Sequence, residues 1–385
     1  MTEGFHGLKS SMDSRLQGNS KAAGTEDSRI LPHTLRMVAW EVTRSCNLAC
    51  AHCRASALRG PYTGELNTAK CMQVIDEIAA VGKPVIILTG GEPLLRPDIC
   101  EIAAYGDRKG LRMVLATNGT LVTETVAENL IRSGIKRVSV SIDGPEAESH
   151  DAFRGAAGAF TGAMAGIAAM KRTGLEFQIN TTITAANLSR IREIHDLAHE
   201  IEAAAHHIFL LVPTGRAKEM ADQAITPAAY EETLNWFYEE GLSCAIQLKA
   251  TCAPQYYRIF HQRRKERSGA SEGRPTADGE GQSLHRMTRG CLGGSAFCFI
   301  SHRGQVQPCG YLEIDCGQLT VKGFAEIWNG SSIFQDLRDL GRYRGKCGRC
   351  EFIRICGGCR ARSYEMTGDY LAEEPFCIHR PGNGG

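Results

Sequence analysis

From residue 37 onward the sequence alternates short runs of β-branched and aliphatic residues with stretches of helical periodicity, and no other feature limits the fold as strongly. Such alternation builds parallel strands joined by helical crossovers. The apolar runs fall at 37–43, 84–88, 113–116, 137–142, 177–183 and 207–212, with amphipathic helices expected at 68–80, 123–133, 160–172 and 188–201. Six β/α units fall short of a closed eight-unit barrel, so the expectation is an α/β fold with a partial, open (β/α)6 barrel. A helix is expected next at 227–240, followed by a short strand. The stretch 266–284, rich in Gly, Ser and charge, reads as a mobile loop.

Barrels place their chemistry where strands deliver their C-terminal ends. The first strand runs directly into Cys46-x3-Cys50-x2-Cys53. Three thiolates at this spacing reach three corners of one [4Fe–4S] cube, and no fourth cysteine is near enough to close the remaining iron. The alternative is a zinc site completed by His52 or a distant side chain. The second strand ends in Thr89-Gly90-Gly91-Glu92-Pro93. Gly90 and Gly91 let backbone approach a ligand closely, and Glu92 offers a carboxylate to a cation; a plain strand-to-helix turn would use the same glycines. Asn118, then Ser141 and Asp143, then Asn180 and Thr182 end the next three strands. Each suits ligand hydroxyls, or turn and capping chemistry.

Composition sharpens the reading of the cysteines. A chain of 385 residues that is 43% hydrophobic buries a large core, and Lys+Arg 44 against Asp+Glu 43 gives no bulk attraction to nucleic acid or an anionic membrane. No apolar run approaches the roughly 18 residues of a membrane span. Residues 1–33 form a polar lead without a signal-peptide core, and a cytoplasmic location is expected. In that setting 16 cysteines point to metal or redox chemistry rather than disulfides. Nine lie between Cys291 and Cys377, including Cys347-x2-Cys350-x5-Cys356-x2-Cys359. Structural zinc is the alternative there, but the common ribbon separates its pairs by roughly 15 to 20 residues. Cys71, Cys100 and Cys244 sit in apolar patterns and read as small core residues.

Lys249, Cys252, Tyr256, Tyr257, Arg258 and His261 mix rings with cations. They read equally as a solvated basic helix face or as a pocket for a flat polyanion, with Cys252 or His261 available to a metal. The spacing places Arg258 and His261 on one helical face.

The cysteine triplet, with His52 inside it and the Gly90–Glu92 motif behind it, resembles the radical S-adenosylmethionine superfamily. The C-terminal pattern resembles that superfamily's SPASM extension, which usually has three residues where Cys356 and Cys359 enclose two glycines. The resemblance implies S-adenosylmethionine on a [4Fe–4S] cluster held by Cys46, Cys50 and Cys53. It further implies Gly90, Gly91 and Glu92 at the amino group, Arg154 at the carboxylate, and Val212 at the adenine or in the core. Asn118, Ser141, Asp143, Asn180 and Thr182 would serve the ribose. One auxiliary [4Fe–4S] cluster is expected on Cys347, Cys350, Cys356 and Cys377. A second is expected on Cys291, Cys309 and Cys359 with Cys298 or Cys316.

Val38–Cys46, His206–Arg216, Lys249–Pro254 and Cys356–Tyr364 together resemble the heme b synthase family of the siroheme-dependent heme pathway. That resemblance implies oxidative decarboxylation of two propionates of iron-coproporphyrin III to vinyl groups, with an electron donor and a final electron acceptor as further partners. Related enzymes of heme d1 or decarboxysiroheme processing, and peptide-modifying SPASM enzymes, share the framework. An iron–sulfur electron carrier is the alternative of a different class, and the ligand-shaped strand ends weigh against it. The expected organisation is a lead at 1–33, a partial radical S-adenosylmethionine barrel at 34–225, a connecting segment with a substrate-contacting helix at 226–288, and a SPASM-like domain at 289–385.

Overall fold

The computed structural model describes residues 34–269 and 289–382, so the expected lead and most of the expected loop, from 270 to 284, lie outside the described residues. Thr34–Gly385 forms one compact unit. Its strands are β1 (Met37–Thr43), β2 (Val85–Gly90), β3 (Arg112–Thr117), β4 (Ile135–Ser141), β5 (Phe177–Ile183), β6 (Ala205–Leu210), β7 (Gln247–Thr251), β8 (Phe297–Ile300), β9 (Gln305–Gln307) and β10 (Gly317–Gln318). They form one sheet in the order β10-β9-β8-β1-β2-β3-β4-β5-β6-β7. Neighbours from β8 through β7 pair in parallel, while β9 and β10 run antiparallel. The six expected strands therefore stand in order, extended by β7 at one edge and by C-terminal strands at the other.

Helices pack where their sequence period requires. α1 (Thr68–Val81) starts at Asn67, whose Oδ1 accepts from the Lys70 amide at 2.9 Å, and it buries Cys71, Val74, Ile75 and Ile78 along one stripe. These face Val38, Trp40 and Val42 of β1 in the main core. Removing a buried side chain such as Ile75 to Ala would cost about 2–5 kcal/mol. The other helices in chain order are α2 (Ile99–Arg108), α3 (Glu124–Arg132), α4 (Ala147–Arg154), α5 (Ala159–Thr173), α6 (Ile191–Glu200), α7 (Pro227–Glu240) and α8 (Gln255–Gly269). α8 absorbs residues 266–269, which read as loop in the sequence.

Strand alternation sorts the barrel into two faces. Even positions of β1, such as Trp40, join the helix-side core, whereas Glu41 points inward. In β5, Ile179 and Ile183 pack outward, leaving Asn180 and Thr182 inward; in β7, Leu248 and Ala250 pack on the α7 side, leaving Lys249 inward. The interior face thus carries polar side chains on β4, β5 and β7.

Candidate active site

The cysteine loop after β1 is clamped from four directions. Glu41, fully buried, pairs with Arg54 Nη2 at 2.9 Å, Arg44 Nε at 3.0 Å and His302 Nδ1 at 2.7 Å. Burial alone would raise its pKa, but Arg54, the His302 hydrogen bond and Arg44 pull it down to about 2. From the second side, Gly91 and Glu92 donate their amides to the carbonyls of Thr43 and Ser45, both at 2.8 Å. A Cβ on Gly91 would sit 2.4 Å from the Ser45 carbonyl oxygen, so glycine is required by the closeness of the two strand ends. Thirdly, Asn118 Nδ2 donates to Asn47 Oδ1 at 2.8 Å. The fourth clamp comes from beyond β6: Arg216 Nε donates to the Cys50 carbonyl and Nη1 to that of Ala57, both at 2.9 Å. Gly215, at φ +55, allows this approach, since a Cβ there would lie 2.2 Å from the Arg54 carbonyl oxygen. The clamping role of Arg216 is absent from the sequence reading, and its position in a Thr-Gly-Arg run just past a strand end was the available signal.

The thiols accept rather than donate. Cys46 Sγ takes the Leu48 amide and Cys53 Sγ the Ala57 amide, each at 3.4 Å. Burial, ahead of the neighbouring charges, pushes the Cys46 thiol up to about 11, a cost that binding to iron would remove. Among the described residues, two groups of three ligand atoms converge within 4.8 Å, and neither includes Cys46, Cys50 or Cys53. A single zinc draws its ligands together to about 3.5 Å.

Arg154, buried at the end of α4, lies between this loop and the strand ends. Its Nη1 approaches Cys50 Sγ at 3.8 Å, its Nη2 pairs with Asp143, and its Nε is buried without a partner. Burial raises the Asp143 carboxyl and Arg154 opposes the rise; the other Asp143 oxygen accepts from the Thr182 amide at 2.6 Å. His52 packs at a tilt against Phe153, ring centroids 4.4 Å apart, and its Nδ1 is likewise buried and unpartnered. Burial, then Arg154, lowers its pKa well below the ordinary value, so the ring is neutral. A neutral ring and an arginine with a spare donor beside the cysteines fit a zwitterionic ligand that carries a carboxylate.

Other expected ligand groups are committed to the protein. Glu92 accepts from Thr117 Oγ1 and the Asn118 amide at 2.8 Å and from the Leu94 amide at 3.1 Å. Its burial raises its pKa against these donors. Asn118 Oδ1 closes its own turn onto Thr120. Asp143 is held as described. Ser141, Asn180 and Thr182 remain half-buried at the strand ends of the interior face. Val212 lies past the end of β6 and packs with Leu312, Cys359 and Ala361, which is the core alternative of its sequence reading.

The C-terminal cysteines divide into two sets. Cys347, Cys350, Cys356 and Cys377 line one recess of about 390 Å³, part of it open to solvent. Cys347 Sγ accepts from the Glu374 amide at 3.3 Å and from Arg360 Nη2 at 3.6 Å; Cys356 Sγ accepts from the Gly358 amide at 3.4 Å. Burial raises the Cys377 thiol to about 11. The second set is Cys252, Cys291, Cys309 and Cys359. Burial raises Cys252, with the charges of Cys359, Cys309 and Cys291 adding to the rise; Cys309, raised to about 12, responds likewise to Cys359 and Cys291. Cys359 and Cys309 share an apolar cluster with Cys252.

Cys298 and Cys316, expected as alternatives in this second set, do not join it. Cys298 pairs in register with Val38 across β8 and β1, so its side chain enters the helix-side core, where its charged neighbours are Cys316 and Arg338. The Cys356-Gly-Gly-Cys359 spacer explains the division. Gly357 (φ +75) and Gly358 (φ +62) are both left-handed, and they turn Cys356 into the first set and Cys359 into the second.

The middle segment separates its cations. Arg258 is buried, pairs with Glu231 of α7 and donates to Gln262 Oε1 at 2.7 Å; it lines the Cys377 recess. His261, at i+3 on the same helix, is exposed, so the two share helical spacing but not an environment. Tyr257 is half-buried and packs edge-on to Tyr256. Lys249 alone among these cations points into the barrel. Burial lowers its pKa, and no carboxylate pairs with it among the described residues.

Residues 40–201 match the radical SAM superfamily, and residues 291–360 match SPASM, an iron–sulfur cluster-binding domain. The chain is 55% identical over 348 residues to the AdoMet-dependent heme synthase of Nitratidesulfovibrio vulgaris, covering 90% of this chain and 93% of that protein. It is 50% identical to the AdoMet-dependent heme synthase of Methanosarcina barkeri, covering 90% and 97%. The Fe-coproporphyrin III synthase of Methanosarcina barkeri is 30% identical, covering 91% and 92%. Among solved structures, Streptococcus suis SuiB bound to its precursor peptide superposes with a TM-score of 0.69 at 14% identity, covering 90% of this chain and 76% of that one, which establishes the shared fold.

Proposed function

Because this chain belongs to the radical SAM superfamily and, within it, to the AdoMet-dependent heme synthases, we propose that it converts two propionate side chains of iron-coproporphyrin III to vinyl groups, giving protoheme. Each conversion removes one hydrogen atom, one carbon dioxide and one electron from a propionate. When bound, S-adenosylmethionine and the iron–sulfur clusters supply the radical that takes the hydrogen and a sink for the electron.

The chain's own residues bind, orient and exclude water. Cys46, Cys50 and Cys53 are the ligands we assign to the radical-generating cluster, with Arg154 meeting the methionine carboxylate and His52 walling the site. Glu92 acts at one remove, by tying the ends of β2 and β3 into one support beneath the loop. Ser141, Asn180 and Thr182 offer hydroxyl and amide groups to the nucleoside. For the auxiliary clusters, the two gathered sets are our assignment: Cys347, Cys350, Cys356 and Cys377 for one, and Cys252, Cys291, Cys309 and Cys359 for the other.

The observation that carries the substrate side of this reading is Lys249. A half-buried ammonium facing the barrel interior, its pKa lowered by burial and with no carboxylate on it among the described residues, is matched by a propionate. Arg258, already paired with Glu231, serves the Cys377 recess instead. The test is anaerobic incubation of the reduced, reconstituted protein with iron-coproporphyrin III and S-adenosylmethionine, read by mass spectrometry. Two successive losses of carbon dioxide with two hydrogens are expected; unchanged porphyrin under conditions that form 5′-deoxyadenosine overturns the reading. Lys249→Ala should weaken porphyrin binding by about tenfold or more while leaving S-adenosylmethionine binding intact, and Lys249→Arg should restore part of it.

A further inference from the structure

On the helix side of the sheet, away from both cysteine regions, His195 and His199 stand one turn apart on α6 and face Cys244, just past the end of α7. The spacing i, i+4 places both rings on one helical face. His199 Nε2 lies 3.2 Å from Cys244 Sγ, His195 Nε2 lies 3.7 Å from the same sulfur, and Glu240 Oε1 is 3.9 Å from His195 Nε2. We propose that His195, His199 and Cys244 supply three ligands, with water in the fourth position, to a site for a tetrahedral divalent ion of the zinc type.

The hydrogen bonds beneath the site fix which nitrogen of His195 is free. Thr181 Oγ1 spends its proton on the Ile142 carbonyl at 2.7 Å, so toward His206 Nε2, 2.9 Å away, it accepts. His206 therefore carries its proton on Nε2 and presents a lone pair at Nδ1. His195 Nδ1, 3.1 Å from that lone pair, must donate. The proton of a neutral His195 is thus held on Nδ1, and the lone pair of Nε2 is aimed at Cys244 and Glu240. This is the support a metal-bound histidine requires: the second nitrogen donates to a fixed acceptor and orients the first.

The distances suit one ion. With zinc bonds of about 2.3 Å to sulfur and 2.0–2.1 Å to nitrogen, tetrahedral ligand atoms lie about 3.5 Å apart, and the two sulfur–nitrogen separations fall on either side of that value. Two imidazoles and a thiolate make a borderline-soft donor set that favours zinc over magnesium or calcium. His195 is almost wholly buried, while His199 and Cys244 are half-buried, so an ion has a route in from solvent. The competing arrangement is metal-free, with the thiol proton given to His195 and a His199 proton given to sulfur. An ion would staple α6 to the segment between α7 and β7, the strand that leads to Cys252.

The test uses the full-length protein after anaerobic cluster reconstitution, equilibrated with buffered zinc and then desalted. One retained zinc per chain is expected, with an X-ray absorption edge showing a single sulfur among nitrogen and oxygen neighbours. Cys244→Ser and His199→Asn should each weaken zinc binding by about a hundredfold or more and abolish the rise in Tm that zinc gives the parent, at unchanged iron and sulfide content. The proposal is overturned if the parent retains no zinc, if the variants retain as much as the parent, or if the zinc shell is all sulfur. His199→Asn, at a half-buried position, is the variant that speaks if Cys244→Ser fails to fold.

Discussion

The two cysteine regions solve the same problem, presenting thiols to iron, by opposite means. The N-terminal set is a single eight-residue loop whose ligands are neighbours in the chain, and the rest of the protein only holds that loop in shape: Glu41, Gly91 and Arg216 reach it from separate elements. The C-terminal sets are assembled from distant segments. Cys252 follows β7, Cys309 follows β9, and Cys359 immediately precedes the helix Arg360–Thr367. Fully buried Arg362 ties them together, bonding Glu374 and the carbonyls of Leu210, Leu211 and Cys252. A local loop tolerates changes far away and fails when its own supports are removed. An assembled site fails when topology shifts.

The largest test of this contrast is Gly91→Ala. The added methyl meets backbone that cannot give way, so iron content should fall by about one [4Fe–4S] equivalent with the auxiliary electron paramagnetic resonance signals retained. Loss of every signal together would show that the two regions do not stand independently. Next in size is the acid response of the Glu41 hub. Its folded pKa of about 2 lies below the ordinary 4.5, so its ion pairs contribute stability that is complete above about pH 4.5 and is lost as pH falls toward 2. The contribution is about 3 kcal/mol, and Glu41→Gln should flatten that part of the stability profile in chemical unfolding. An unchanged profile removes Glu41 as the hub.

Smaller again is Arg154→Ala, which should leave iron unchanged and weaken S-adenosylmethionine by about ten- to a hundredfold in equilibrium binding, as for loss of a charged hydrogen bond. Wild-type affinity would reassign the carboxylate. The smallest effect is expected at Cys298→Ala: about 1 kcal/mol of stability and no change in any cluster signal, whereas Cys252→Ser should alter one auxiliary signal. The reverse pattern would return Cys298 to the second set.

Locality decides what a sequence reveals here. The Cys46 triplet, the Gly90–Glu92 turn and the six alternating runs are legible because each is short and contiguous. Cys298 misled because position in the chain says nothing about which face of β8 it occupies; its register with Val38 settles that. Arg258 and His261 share helical spacing, but Glu231 on another helix captures the first and solvent takes the second. His195 and His199 had the spacing of a metal pair. Their partner Cys244 lies beyond an entire helix, and in sequence it reads only as a small apolar residue.

The two glycines between Cys356 and Cys359 have a consequence for maturation. Glycine loses more conformational freedom on ordering than any other residue. Whichever site captures its iron first freezes this turn and, in doing so, positions the ligand for the other, so the second assembly event proceeds with that entropy already spent. Loading of the two auxiliary sites should therefore be cooperative, and half-loaded chains should be scarce when iron and sulfide are limiting.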